Sequence, residues 1–140
     1  MTEPDRTRVL VDTHVLLWWQ SAPDRLSPRA AEVLATATTV LVSSVSAWEV
    51  ALLVDAGRLR LDRPVPSWVN EVLGARGVEE VPLDGPTAVA AVDLGRRGFH
   101  RDPADRFLYA TAERFRVPLV SKDEAVRAFA DRHGGVLVLW

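Results

Sequence analysis

The chain has 140 residues, 48% apolar and 26% charged, with a formal net charge of −2. Such a chain is one globular domain (1–140) large enough to enclose a core. The balance excludes an intrinsically disordered chain and a protein held to nucleic acid by a broad basic face. It has no cysteine and only three histidines, which rules out disulfides, zinc–thiolate sites, iron–sulfur clusters and thiol nucleophiles, and argues against a multi-histidine metal site.

Residues 1–7 are polar, lack the apolar core of a signal peptide, and are expected to form a flexible tail. Arg8–Val11 (RVLV) reads as a buried strand ended by Asp12-Thr13, and His14–Gln20 as a short helix apolar almost all round. The apolar run Val15–Trp19 is too short to span a bilayer, so no membrane association and a cytoplasmic location are expected. Ser27-Pro28 supplies an N-cap and first-turn proline for a helix through Ala37. Thr39–Ser43 (TVLVS) is a second strand. Ser46 and Glu49 have capping-box spacing and are expected to open a helix that stops near Gly57. A helix over Pro66–Ala75 stops at Gly77, a weaker strand covers Val78–Pro82, and a helix covers Gly85–Arg97. Asp102-Pro103 caps a helix to Arg116. Pro118–Ser121 is a strand, Asp123–His133 a helix, and Val136–Leu139 a last strand. Strands alternating with helices along the whole length predict an α/β fold, with a mainly parallel sheet covered on both faces.

Four acids stand just past an apolar run or at a helix start: Asp12, Glu49, Asp105 and Asp123. In a parallel sheet these positions lie at the carboxyl edge, where ligands bind. Each acid alone is explained as a helix cap or a first-turn residue stabilised by the helix dipole. As a set they are not. Asp12 interrupts VLVDTHVLLWW where burial is expected, Asp123 follows a buried strand, and the only lysine is Lys122. Buried carboxylates need pairing or a metal, and crowded ones suit hard, oxygen-seeking cations such as Mg2+ or Mn2+. The chemistry that calls for such a cluster is metal-assisted phosphodiester hydrolysis, in which two ions about 4 Å apart activate a water and stabilise the leaving oxygen.

The segments VLVDTHVLLWW, SSVSAWEVALL, HRDPADRFLYATA and PLVSKD, in this order, are very similar to those of PIN-domain ribonucleases, especially VapC-type toxins. The similarity runs from Val9 to about Leu139. It implies a PIN-like three-layer α/β/α sandwich and a Mg2+- or Mn2+-dependent endoribonuclease, blocked by a VapB-type antitoxin. Asp12, Glu49 and Asp105 correspond to the family's core metal-binding acids and Asp123 to the fourth. Asp102, in the D-P-x-D-R variant, is left open between cap, outer-shell group and ligand. Thr13, Ser43, Ser44, Ser46 and Ser121 are candidates to hydrogen-bond the acids or their waters.

Arg96, Arg97, Arg101 and Arg106 bracket the third acidic segment, and their guanidinium groups suit RNA phosphates; helix-end solvation or pairing with a neighbouring acid explains them equally. Arg101, Arg106 and Ser46 are the substrate-binding candidates, and His100 is a candidate general base. Trp48 and Trp140 are expected in the core or at a sheet edge. The outward face of Val15–Trp19 is expected to need a cover, either a second copy (a homodimer) or an antitoxin segment, with base stacking on Trp18 or Trp19 as a third option. Two competing readings remain. An aspartyl-nucleophile phosphatase is disfavoured because His14 stands where such enzymes carry a second aspartate. A receiver-like partner-binding module is suggested by Lys122 but disfavoured because Asp12 stands alone.

Overall fold

The structure, a computed structural model, describes residues 7–140. Five strands, β1 (Arg8–Val11), β2 (Thr39–Ser43), β3 (Val78–Val81), β4 (Leu119–Val120) and β5 (Val138–Leu139), form one sheet in the order β3-β2-β1-β4-β5. Every pairing is parallel, so the sheet is wholly parallel where a mainly parallel one was expected. Among the described residues seven helices connect the strands: α1 (Thr13–Ser21), α2 (Pro28–Thr36), α3 (Ser44–Asp55), α4 (Val65–Leu73), α5 (Gly85–Arg96), α6 (Pro103–Phe115) and α7 (Glu124–His133). A 3-10 turn over Pro23–Arg25, absent from the sequence reading, follows α1.

The period-2 alternation of strand side chains builds a core on each face. Register aligns Leu10 with Leu41 and with Leu119, and Leu119 with Val138. That row packs with Ala91, Leu94, Tyr109, Ala110 and Phe129 of α5, α6 and α7. The alternate residues Val9, Val11, Val40, Val42 and Val120 face Val15, Leu16, Ala30, Leu34, Val50, Trp68 and Val72 of α1 to α4. Burial on both faces is why these strands read as unbroken apolar runs rather than as alternating ones.

Several boundaries differ from expectation. Ser43, not Ser46, caps α3: its Oγ accepts from Val45 N at 3.0 Å, because β2 runs into the helix with no loop between them. Ser46 is therefore inside α3. The helix α4 ends at Leu73, and Ala75–Gly77 form a turn closed by Val78 N donating to Ala75 O, with Gly77 at a positive φ of 80°. Strands β4 and β5 shorten to two residues each.

The tail expected over residues 1–7 lies outside the described residues except for Thr7, whose carbonyl accepts from Thr38 N and Thr39 N. Trp140 packs on the α1–α4 core as expected, but Trp48 is 54% exposed. The chain itself covers most of α1, since Val15 and Leu16 are buried and Leu17 and Trp19 pack on the core. The exposed apolar side chains are instead Trp48 and Leu52 on α3, Val89 and Val92 on α5, and Phe115 on α6. Among the described residues no helix is long and apolar enough to cross a membrane.

Candidate active site

Strand order reverses at β1, which pairs with β2 on one side and β4 on the other. Connections leaving the carboxyl ends of β1 and β4 therefore diverge and open a crevice. Asp12 sits at the end of β1, its N–H bonded to Val120 O at 3.1 Å, and its Oδ1 caps α1 by accepting from Val15 N at 2.8 Å. Asp123 sits just past β4 and caps α7 through Val126 N at 2.9 Å, while its own N–H donates to Ser121 Oγ at 3.1 Å. Each acid is thus a helix cap, and Asp12 is bonded by the Ser121 side chain as well.

The remaining acids come from the flanking helices. Glu49 lies on the second turn of α3, where Thr13 meets it. The Thr13 hydroxyl lies 2.5 Å from Glu49 Oε1 and 3.0 Å from Ser46 Oγ. A hydroxyl owns one proton; the ionised carboxylate has none to offer, so Thr13 donates to Glu49 and Ser46 donates to Thr13. Asp102 caps α6 by accepting from Asp105 N at 3.0 Å. That places Asp105 in the first turn of α6, half-buried, with its Oδ2 2.7 Å from His100 Nε2.

Asp12, Glu49, Asp102, Asp105 and Asp123 all line one cleft of about 390 Å³, together with Thr13, His14, Trp18, Lys122 and Glu124. Burial raises the Asp12 carboxyl above its ordinary value, against hydrogen bonds from Ser121 and Val15, and Asp123 adds to the rise. Glu49 is raised by burial, against the Thr13 bond, with Asp102 and Asp105 contributing. Asp105 is raised by burial, against the His100 bond, with Asp102 and Asp123 contributing. The acids are therefore close enough to repel one another in a partly desolvated setting.

This donor set fits a hard divalent cation, which takes carboxylate oxygens and offsets their repulsion. Among the described residues, His100, Asp105 and Asp123 offer ligand atoms within 4.8 Å of one another. Asp12 and Glu49 share the cleft but lie outside that grouping.

Other candidates fall differently. Ser46 is wholly buried, so its role as a direct substrate contact is corrected to support of Thr13. The guanidinium of Arg106 is bonded to the chain itself, with Nε donating to His100 O at 2.7 Å and Nη2 to Phe99 O at 3.0 Å. Arg97 pairs with Glu113 at 2.9 Å, which leaves Arg96 and Arg101 exposed. Arg101 borders a separate depression with Ala88, Ala91, Val92, Pro103, Arg106 and Phe107. Ser44 Oγ accepts from Leu83 N at 3.0 Å. His14, Lys122 and Glu124 are site-lining residues the sequence reading misses, although each lies within two positions of Asp12 or Asp123, while Trp18, the base-stacking option, also lines the cleft. Trp18 lies a helical turn further on, with Arg25 Cζ 4.8 Å and Lys122 Nζ 5.8 Å from its ring centroid.

Comparison with known proteins agrees with this geometry. Residues 9–132 match the sequence profile of the PIN domain. The chain is 37% identical over 134 residues, 96% of its length and 99% of the relative's, to "Ribonuclease VapC22" of Mycobacterium tuberculosis. Its fold is similar to that in a toxin-antitoxin complex from Klebsiella pneumoniae (TM-score 0.62, 18% identity, 92% of this chain and 95% of that one). It is similar also to that in VapBC2 from Rickettsia felis (TM-score 0.59, 14% identity, 94% and 96%). A profile spanning most of the sequence, a relative of nearly the same length, and acids gathered at the switch point of a parallel sheet together make this chain a member of the PIN domain family.

Proposed function

We propose that this chain is a Mg2+- or Mn2+-dependent endoribonuclease toxin of the cytoplasm, acting as a homodimer and blocked by a cognate VapB-type antitoxin. The observation that carries the reading is the convergence of Asp12, Glu49, Asp105 and Asp123 on one cleft, three of them with raised pKa values. Kinship to a ribonuclease of nearly the same length supports the substrate class, and structural likeness to toxin–antitoxin complexes supports the partner. The exposed apolar side chains of α3 and α5 also favour a protein partner. Membership of the PIN family displaces the phosphatase and receiver-like readings.

Asp12, Glu49, Asp105 and Asp123 hold the cations, and Asp102 orders the first turn of α6 beneath Asp105. When bound, the cations supply Lewis acidity: they lower the pKa of a water and offset the charge that develops on the phosphate. Thr13 and His100 orient the carboxylates they touch. Lys122 gives the acid-rich cleft a cation for the RNA backbone, and Arg101, next in sequence to Asp102, offers an exposed one outside it.

The test is cleavage of single-stranded RNA by the purified chain. Chelation should stop cleavage and Mn2+ should restore it. Asp12→Asn should abolish it without unfolding the protein, because asparagine is an equally good N-cap. Cleavage by Asp12→Asn at the parent rate refutes the metal reading. Mixing with the antitoxin encoded beside this chain should shift its elution volume and suppress cleavage, and an unshifted volume removes the partner.

A further inference from the structure

We propose that Arg106 and His100 form a positioning clamp for the carboxylate of Asp105, and that Gly95 is the space-maker that admits it. The inference rests on the proposed role of Asp105 in holding a cation and goes beyond it, because the bonds of Arg106 go to the backbone behind Asp105. Arg106 follows Asp105 in the first turn of α6, and its side chain reaches back over the connection from α5. It grips two successive carbonyls, Phe99 O at 3.0 Å and His100 O at 2.7 Å. A planar guanidinium fork holds two acceptors in fixed directions, whereas the three donors of an ammonium rotate freely.

The clamped segment ends in a ring with little freedom. Phe99 is buried against Tyr109 and Phe129, with ring centroids 5.2 Å and 4.9 Å away. The His100 imidazole stacks on Phe99 at 4.5 Å with 21° between planes. With its backbone and ring plane both set, His100 presents Nε2 at 2.7 Å from Asp105 Oδ2. Asp105 is thereby held at two points, its N–H on Asp102 and its Oδ2 on His100. Histidine–carboxylate contacts of this kind orient metal ligands, and losing them typically weakens metal affinity about 10- to 100-fold.

Gly95 provides the independent sign that the guanidinium position matters. A Cβ at Gly95, in the last turn of α5, would lie 2.8 Å from Arg106 Nη1 and 3.0 Å from its Cζ and Nη2. The obstruction is the tip of a flexible side chain, and alanine is the stronger helix former, so Gly95→Ala spares the fold. Any displacement of the guanidinium acts directly on its bonds to the two carbonyls. Gly95→Ala therefore reports on the clamp while leaving every polar group of the site in place.

The experiment is Mn2+ titration of the full chain followed by electron paramagnetic resonance, with thermal melts of each variant as the check on folding. His100→Ala, Arg106→Ala and Gly95→Ala should each weaken Mn2+ affinity by about tenfold or more. His100→Gln, which still donates to the carboxylate, should recover most of the loss. The Mn2+ spectrum of the parent should show no directly bound nitrogen. If folded Gly95→Ala and His100→Ala bind Mn2+ like the parent, the clamp is overturned. A directly coordinated imidazole nitrogen also overturns it, by making His100 a ligand. A parent chain that binds no Mn2+ defeats the metal reading itself, and the clamp with it.

Discussion

Thr13→Val removes one hydroxyl from the centre of the site at nearly constant volume. Thr13 is buried and joins Ser46, itself wholly buried, to the Glu49 carboxylate at 3.0 Å and 2.5 Å. A hydrogen bond to a charged group contributes about 1.5–3 kcal/mol. Glu49 is only half-buried and water can replace part of the bond, so about 2 kcal/mol is the expected loss. Ser46 then loses its acceptor inside the protein, which adds about 1 kcal/mol. A total of about 3 kcal/mol corresponds to roughly 10 °C in melting temperature for a chain of this size. Ser46→Ala alone should cost about 1 kcal/mol, yet in the Thr13→Val background it should restore about 1 kcal/mol by deleting the orphaned hydroxyl. The coupling in the double-mutant cycle is then about 2 kcal/mol. Urea denaturation of the four proteins measures it. Additive costs, or a Thr13→Val loss below about 1 kcal/mol, refute a relay from Ser46 through Thr13 to Glu49.

Metal-free stability should depend on pH in the direction opposite to that of an ion-paired acid. Asp12, Glu49 and Asp105 have folded-state pKa values raised by burial. Their stabilising contribution is complete below the unfolded pKa and is lost as pH rises through the folded value. Melting temperature in chelator should therefore rise on acidification from neutrality toward about pH 5, and saturating Mn2+ should abolish or reverse that trend; a steady fall in chelator refutes it. Asp12→Asn should melt at or above the parent in chelator, since it keeps the α1 cap and removes a charge repelled by Asp123. Lower stability of that variant would place Asp12 among structural rather than metal-binding acids. Tyr109 is buried, its hydroxyl finds no partner among the described residues, and burial pushes its pKa up to about 12. Tyr109→Phe should accordingly be neutral or stabilising by up to about 1 kcal/mol in urea denaturation. A loss above that would reveal a bonded hydroxyl.

Much of this protein is legible in one dimension because parallel strands buried on both faces must be apolar throughout. RVLV, TVLVS and PLVS announce β1, β2 and β4, and the acids that follow them break that pattern at the sheet's carboxyl edge. Caps are legible where the capping bond is local, as at Ser27, Asp102 and Asp123. The capping box at Ser46 and Glu49 failed because spacing cannot say which residue ends a strand. Only the sheet, by carrying β2 through Ser43, makes Ser43 the cap and turns Ser46 inward to Thr13. The arginines show the same division. Composition and spacing mark Arg97, Arg101 and Arg106 alike as cations near an acidic segment, but the fold gives Arg97 to Glu113, leaves Arg101 in solvent, and sends Arg106 beneath Gly95 to hold two carbonyls. Periodicity in the sequence determines which residues enter a sheet and which stand at its rim, because burial acts on every residue of a strand. Which side chains then share a proton, a carbonyl or a cleft is decided by contacts between residues distant in sequence, and only the packed tertiary structure sets those.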